Sequence, residues 1–337
     1  MQPAGNFFAY PAASDLVELD AGESPRFWVT IDTEEDFDWE APFARTGYRL
    51  ASVPALAECQ TYFEHAGVRP IYLVDWPIVA DDRAVDILGP AQSAGRCEIG
   101  AQLHPWVTPP HDEDVNERNS FTGNLPVTMQ RAKMTALRDA IRDRFGVAPT
   151  AYRAGRYGLG RDSAAMLADL GFRCDTSVRS GFDYRAGHGP DYRDAPLHPW
   201  WVRTEKGPVL EMPVTTVFGG LFGRAGRWLY HRTSSNSHAA LARLGLAERI
   251  ALTPEGIPAE RACKAIDIAI GMRLPVLNFS FHSPSLQPGN TPYVRSQSDL
   301  DLFYRWWDVV LEHLARRGVE STTTAEILAM AERKAGR

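Results

Sequence analysis

Cysteine is scarce in this chain. Cys59, Cys97, Cys174 and Cys263 are its four cysteines in 337 residues, and no two are close enough for a C-x-x-C pair. That excludes a zinc knuckle and a thioredoxin-type motif, and with them a disulfide framework, so these cysteines read mostly as small buried hydrophobes. No basic block exists either: 36 Lys and Arg stand against 42 Asp and Glu, a net charge of −6. Such a balance disfavours nucleic acid and anionic membrane surfaces as partners. No apolar run approaches the 18 residues of a membrane span. Met1 to Leu19 lack the basic and then apolar regions of a secretory leader, so the expected address is the cytoplasm. Repeats and low-complexity tracts are missing as well. The 44% hydrophobic and 23% charged residues are those of a folded chain long enough to bury a sizeable core.

What is present is an alternation. Short, β-branched apolar runs at 26–31, 71–74, 97–102, 150–153, 172–178 and 275–281 read as buried strands, with further strands at 200–203 and 209–214 inside a loop-rich region, 181–235. Helical spacing recurs at 52–66, 81–94, 127–145, 162–170, 257–272, 299–317 and 323–334, and several of these stretches end at Gly. Strands alternating with helices specify a parallel α/β sheet with right-handed crossovers, and six or seven such units close into a regular or distorted barrel. Residues 1–24 read as an irregular arm and 25–337 as one barrel domain, because no linker divides them.

In parallel α/β folds the functional groups lie where strands end. The polar residues just beyond the apolar runs are Asp32, Glu34, Glu35 and Asp36, then Asp75, then Gln102 and His104, then Arg153, Arg156 and Tyr157, then Asp175, and finally His282. In extended chain Asp32, Glu34 and Asp36 share a face. Carboxylates so spaced can divide labour, one holding a cation and another taking a proton, although an acidic loop or helix N-caps would look the same. Pro105 biases His104 to extended backbone, so Gln102, His104 and Trp106 point one way. His104 is a candidate metal ligand or a core hydrogen-bonding group, and Trp106 a sugar platform or a rim plug. His282 suits a general acid. Arg153 and Asp175 suit a rim ion pair, with Arg153 orienting a catalytic carboxylate. His111 is a reserve ligand.

These segments together resemble the polysaccharide deacetylase (NodB homology) superfamily, most closely its WalW-like branch linked to bacterial surface-polysaccharide synthesis. The resemblance spans roughly 26–325 in the family's motif order. TIDTEEDFDW (30–39) looks like the motif of base and metal ligand, and EIGAQLHPW (98–106) like the metal-histidine motif. YRAGRYG (152–158) resembles the arginine motif, DTSV (175–178) the fourth, and FSFHSPSLQPGNTPYV (279–294) the catalytic-histidine motif. The family usually has two histidines four apart in its second motif. Here Gln102 and Trp106 hold those places, with His104 between.

The resemblance implies a distorted (β/α)7 barrel and a hydrolase that removes an acetyl or other acyl group from a sugar in a glycan or glycolipid precursor. It implies a divalent metal (Zn, with Co or Ni as alternatives) held by Glu34 or Glu35 with His104 and Gln102. Asp32 would be the base, His282 the acid, and Arg153 with Asp175 the orienting pair, while Trp106, Tyr157 and Arg156 would contact the sugar. A catalytically silent barrel that binds glycan or a biosynthetic partner is the alternative, and a metal-free glycosidase using Asp32 with a second acid is a third. The sequence sets no oligomeric state.

Overall fold

A computed structural model describes residues 5–38, 41–233 and 235–335. Trp39, the last residue of the first motif, lies outside them, as do the first four residues of the arm. Strand β1 (Arg26–Thr33) is buried along all but its first residue, as its uninterrupted apolar run requires. The later strands are β2 (Ile71–Val74), β3 (Glu98–Leu103), β4 (Ala151–Ala154), β5 (Cys174–Asp175), β6 (Trp200–Val202), β7 (Val209–Glu211), β8 (Thr216–Gly219), β9 (Glu248–Ala251), β10 (Val276–His282) and β11 (Glu320–Ser321). Their order is β10-β1-β2-β3-β4-β5-β7-β6, with β11 also on β1. Every pairing from β10 round to β7 is parallel, and only β6 returns antiparallel on β7.

The sheet curls into a distorted barrel of the (β/α)7 type whose last seam, between β7 and β10, is not a regular ladder. Single bonds close it: Thr215 N–H donates to Asn278 O (3.2 Å), and Ser280 N–H to Leu252 O (3.1 Å). The Asn278 amide adds a bond to Thr176 Oγ1 at 2.8 Å. Strands β8 and β9 form a separate antiparallel pair beside this seam.

Among the helices, α1 (Ala55–His65), α2 (Trp76–Ala80), α3 (Asp82–Ser93) and α4 (Val127–Phe145) cover the first half. Gly146, at φ 70°, stops α4 in a left-handed cap that a side chain would strain. In the second half α5 (Ser163–Asp169), α6 (Gly226–Arg232), α7 (Ser235–Arg243), α8 (Ala259–Gly271), α9 (Gln297–Arg316) and α10 (Thr324–Ala335) follow. A Ser296/Asp299 capping box starts α9, which buries Leu300, Phe303, Trp306, Trp307, Val310 and Leu314 at helical spacing. No helix among the described residues is long and apolar enough to cross a membrane. Cys59, Cys97 and Cys174 are buried and Cys263 half-buried, all as free thiols.

Two sequence expectations need correction. The strand expected at 172–178 pairs only over Cys174–Asp175. Beyond it the chain turns inward, and Asp175 folds its carboxylate back onto Ser177 N (3.0 Å) and Ser177 Oγ (2.8 Å). Within and just after the loop-rich region the chain also forms β8, β9, α6 and α7, for which the sequence gives no expectation. Each is short, at four to nine residues, and tertiary contact decides them.

Asp175 sits opposite Glu211 in the β5–β7 register, and both are buried. Burial, then the Asp175 charge, pushes the Glu211 carboxyl well above its usual range, so one proton stays between them. The folded chain thus keeps a proton that the unfolded chain releases near pH 4.3. Stability from this pair is complete below that pH and is lost as pH rises through the folded pKa. Glu211→Gln, a mimic of the protonated acid, is expected to gain on the wild type by up to about 1.4 kcal/mol per pH unit above about pH 4.3. Urea unfolding at several pH values checks this, and parallel curves for the two proteins would refute it.

Candidate active site

Parallel register builds the centre. Asp32 at the end of β1 is the direct partner of His282 at the end of β10, so residues 250 positions apart meet at one rim. The side chains of Asn278, Ser280 and His282 alternate onto the barrel interior, as do Thr30 and Asp32. Arg153 reaches across that interior from β4. Its Nη1 pairs with Asp32 Oδ1 and donates to Ser280 Oγ (2.8 Å); Nη2 donates to Thr30 Oγ1 (2.9 Å) and Thr176 Oγ1 (3.1 Å), and Nε to Thr176 O (2.9 Å). All five guanidinium N–H groups are therefore used. Asp32 is only 1% exposed, and its Oδ2 lies 3.6 Å from His282 Nε2.

On its other side His282 is held by Glu255, with Nδ1 2.7 Å from Glu255 Oε2 and its backbone N–H on Glu255 Oε1 (3.1 Å). Ser285 Oγ fixes the same carboxylate at 2.6 Å. Burial disfavours the imidazolium, but the charges of Glu255, Glu34 and Asp32 outweigh it and push the His282 pKa up to about 10.

Beside this relay lies a second histidine. His104 Nδ1 is 3.0 Å from Glu35 Oε2 and 3.6 Å from Asp75 Oδ2, and its Nε2 is 3.4 Å from Glu34 Oε2. Gln102 Nε2 donates to Glu34 Oε2 at 3.3 Å. One ligand atom each from Glu35, Asp75 and His104 lies within 4.8 Å of the others. Burial raises Glu34 to about 8, against the pull of His282 and His104. It also raises Glu35, and Asp75 more strongly, with the Glu35 charge adding to the Asp75 shift. The loop after His104 is pinned by buried Lys133, whose Nζ donates to Pro105 O (2.8 Å), Thr108 O (2.6 Å) and Pro110 O (2.7 Å).

The donor set fits a divalent cation on the Nε2 side of His104. Glu34 Oε1 and Gln102 Oε1 are buried there with no hydrogen-bond partner among the described residues. Tetrahedral zinc ligands are about 3.3–3.4 Å apart, and Glu34 and His104 stand at that separation. Glu35 on Nδ1 is the carboxylate that orients a ligating histidine. On the Nδ1 side the oxygens are already occupied: Glu35 Oε1 by Trp106 Nε1 (2.9 Å), Asp75 Oδ2 by Glu35 N and Asp75 Oδ1 by Ile78 N.

Other expected residues fall elsewhere. Asp175 makes no ion pair with Arg153 among the described residues; it faces Glu211, because Arg153 is drawn instead to Asp32. Trp106 offers no sugar platform. It is 3% exposed, stacked on His104 (4.4 Å between centroids) and tilted against Phe43, with its indole N–H taken by Glu35. Arg156 stacks on Phe121 and Phe43 at the periphery. Tyr157 is half-buried between Arg153 and Arg179, and both it and Arg156 hold positive φ (61° and 53°), a costly turn that sets its ring beside the centre. Asp36 holds Ala51 and Ser52 N–H groups, and His111 is exposed. Glu255 escaped the sequence reading. It lies four residues beyond the end of β9, in the loop where the strand-end rule looks for polar groups.

No family model matches the chain, and no curated protein matches it. Among solved structures, a Mycobacterium smegmatis protein assigned as a polysaccharide deacetylase aligns over 95% of both chains with a TM-score of 0.53 at 13% identity. Puue allantoinase aligns over 96% of this chain and 98% of its own, with a TM-score of 0.51 at 13% identity. The 4-alpha-glucanotransferase of Thermococcus litoralis gives 0.53 at 12% identity over 91% of this chain but only 40% of its own. The chain therefore has the fold found in these proteins, the polysaccharide deacetylase barrel among them.

Proposed function

We propose that the chain is a metal-dependent hydrolase that removes an acetyl group from a sugar; polysaccharide deacetylase is the assignment of one protein of the same fold. The observation that carries this reading is the meeting of Asp32 and His282, 3.6 Å apart, each oriented by its own partner, Arg153 and Glu255. Glu34 and His104, with the Gln102 carbonyl, would hold the cation, and Glu35 would orient His104. When bound, a divalent ion polarises the acyl carbonyl and acidifies water.

The chain's own residues supply the proton transfers. Asp32, fixed by Arg153 through Oδ1, keeps Oδ2 toward the reacting water and takes its proton. His282, kept charged by Glu255, returns a proton from Nε2 to the departing amine or alkoxide. A bacterial surface-polysaccharide or glycolipid precursor is the substrate class we infer from the motif resemblance. The rival reading, a silent glycan-binding barrel, draws on Trp106 and Gln102 filling places where imidazoles would strengthen a metal site.

The test is zinc content together with acetate release from acetylated hexosamine oligosaccharides. About one equivalent of zinc and metal-dependent acetate release are expected, and Gln102→His is expected to tighten zinc binding about tenfold or more, read by chelator competition. Protein that binds glycan but neither zinc nor turns over any acetylated sugar would establish the silent barrel.

A further inference from the structure

Beyond Tyr157 the rim carries positive charge that the proposed chemistry does not use. Arg179 follows β5, and its guanidinium lies 4.9 Å from the Tyr157 ring centroid and 4.0 Å from that of Phe182. Arg249, in β9, lies 3.5 Å from the same Phe182 ring. Two guanidinium groups thus share one phenyl ring. Neither has a carboxylate within 4.0 Å among the described residues. Asp183 and Asp191, the neighbouring acids, are already taken by Arg185 and Arg193. Arg179 gives one bond to Tyr184 OH (3.2 Å), and its Nε is buried with no hydrogen-bond partner. Arg249 gives one bond to Gly181 O (2.8 Å). Burial first, and the adjacent Arg179 charge second, lower the Arg249 pKa from the usual arginine value.

An arginine pair that repels itself and leaves a buried donor unused is costly unless an anion completes it. Its place is next to the reaction centre. Tyr157 separates Arg179 from Arg153, the partner of Asp32. Tyr293, 42% exposed, packs on Gly256 beside Glu255 and lies in electrostatic reach of both Glu255 and Arg179. Tyr293 offers an exposed aromatic ring to a pyranose, and the edges of the guanidiniums offer a fork to an oxyanion.

We propose that Arg179 and Arg249 form an oxyanion subsite at the rim, so that the sugar processed carries a carboxylate or a phosphate. This rests on the deacetylase reading for the reaction, but the subsite is testable without turnover.

Titration calorimetry of the full chain with glucose, glucuronate and glucose 6-phosphate is the first arm. At least one anionic sugar is expected to bind tenfold or more tightly than glucose, less so at high salt. Whether glucuronate or glucose 6-phosphate binds better identifies the anion. Arg179→Gln/Arg249→Gln is expected to abolish the difference and Arg179→Lys to keep part of it, with thermal melts confirming that each variant is folded. Anionic sugars that bind no better than glucose, or equally well to the double variant, overturn the subsite.

The second arm compares kcat/KM for N-acetylglucosamine and its 6-phosphate, and for an N-acetylated sugar with and without a carboxylate. The charged member of one pair is expected to be preferred tenfold or more, and the double variant to lose that preference through KM. Hydrolysis with equal kcat/KM for charged and neutral members overturns the proposal. Anion binding without hydrolysis of any member refutes the deacetylase reading and leaves the subsite standing.

Discussion

Asp32→Asn is expected to lower acetate release by about a thousandfold, within the 10²–10⁴ that a positioned base contributes. The amide keeps the shape and still accepts from Arg153, but it takes no proton from water. Its Oδ2 counterpart becomes an amide NH2 3.6 Å from His282, so the partner that holds the imidazole in line is lost too. KM should change far less than kcat, because the group acts on the reacting water and makes no essential contact to the sugar in this scheme. Zinc content should be unchanged, since Asp32 is not among the residues assigned to the cation. A variant retaining more than a tenth of wild-type kcat would remove Asp32 from the role of base.

Arg153→Met is the second large effect, and it falls on stability. The side chain is 1% exposed and bonds β1, β10 and the segment after β5 at once, tying together strands that share no ladder with β4 beyond its immediate neighbours. Removing it leaves Asp32 as a buried charge without its partner, a loss of about 3–5 kcal/mol. Adding Asp32→Asn to the methionine variant removes the stranded charge and should recover part of the loss, a coupling seen only for groups in contact. Urea unfolding of both singles and the double measures it. A methionine variant within about 1 kcal/mol of wild type would mean the arginine does not lace the barrel.

Much of the centre is legible in the sequence. Parallel strands buried on both faces must be continuous apolar runs, so the first acid or imidazole beyond such a run stands at the rim. That logic singled out Asp32, Glu34, Glu35, Asp75, His104, Arg153 and His282, and the structure gathers them. It failed where the run was weak: β9 went unrecognised, and with it Glu255, the carboxylate that charges His282. It failed also where direction mattered. Trp106 shares the strand-end position of a sugar-stacking residue, but its ring turns onto His104 because the indole N–H finds Glu35.

The sequence by itself determined the alternation of strand and helix, the parallel sheet and the strand ends at which chemistry gathers. These follow from local periodicity and from the rule that polar groups do not sit in doubly covered strands. Only the tertiary structure decided which of those groups meet. Arg153 chooses Asp32, 121 residues away, over Asp175 on the next strand, and Arg179 and Arg249 are left facing one ring without an acid. Such pairings depend on strand register and on how the barrel closes across β7 and β10. A one-residue slip would turn every side chain of a strand to its other face, and no local pattern encodes that long-range choice.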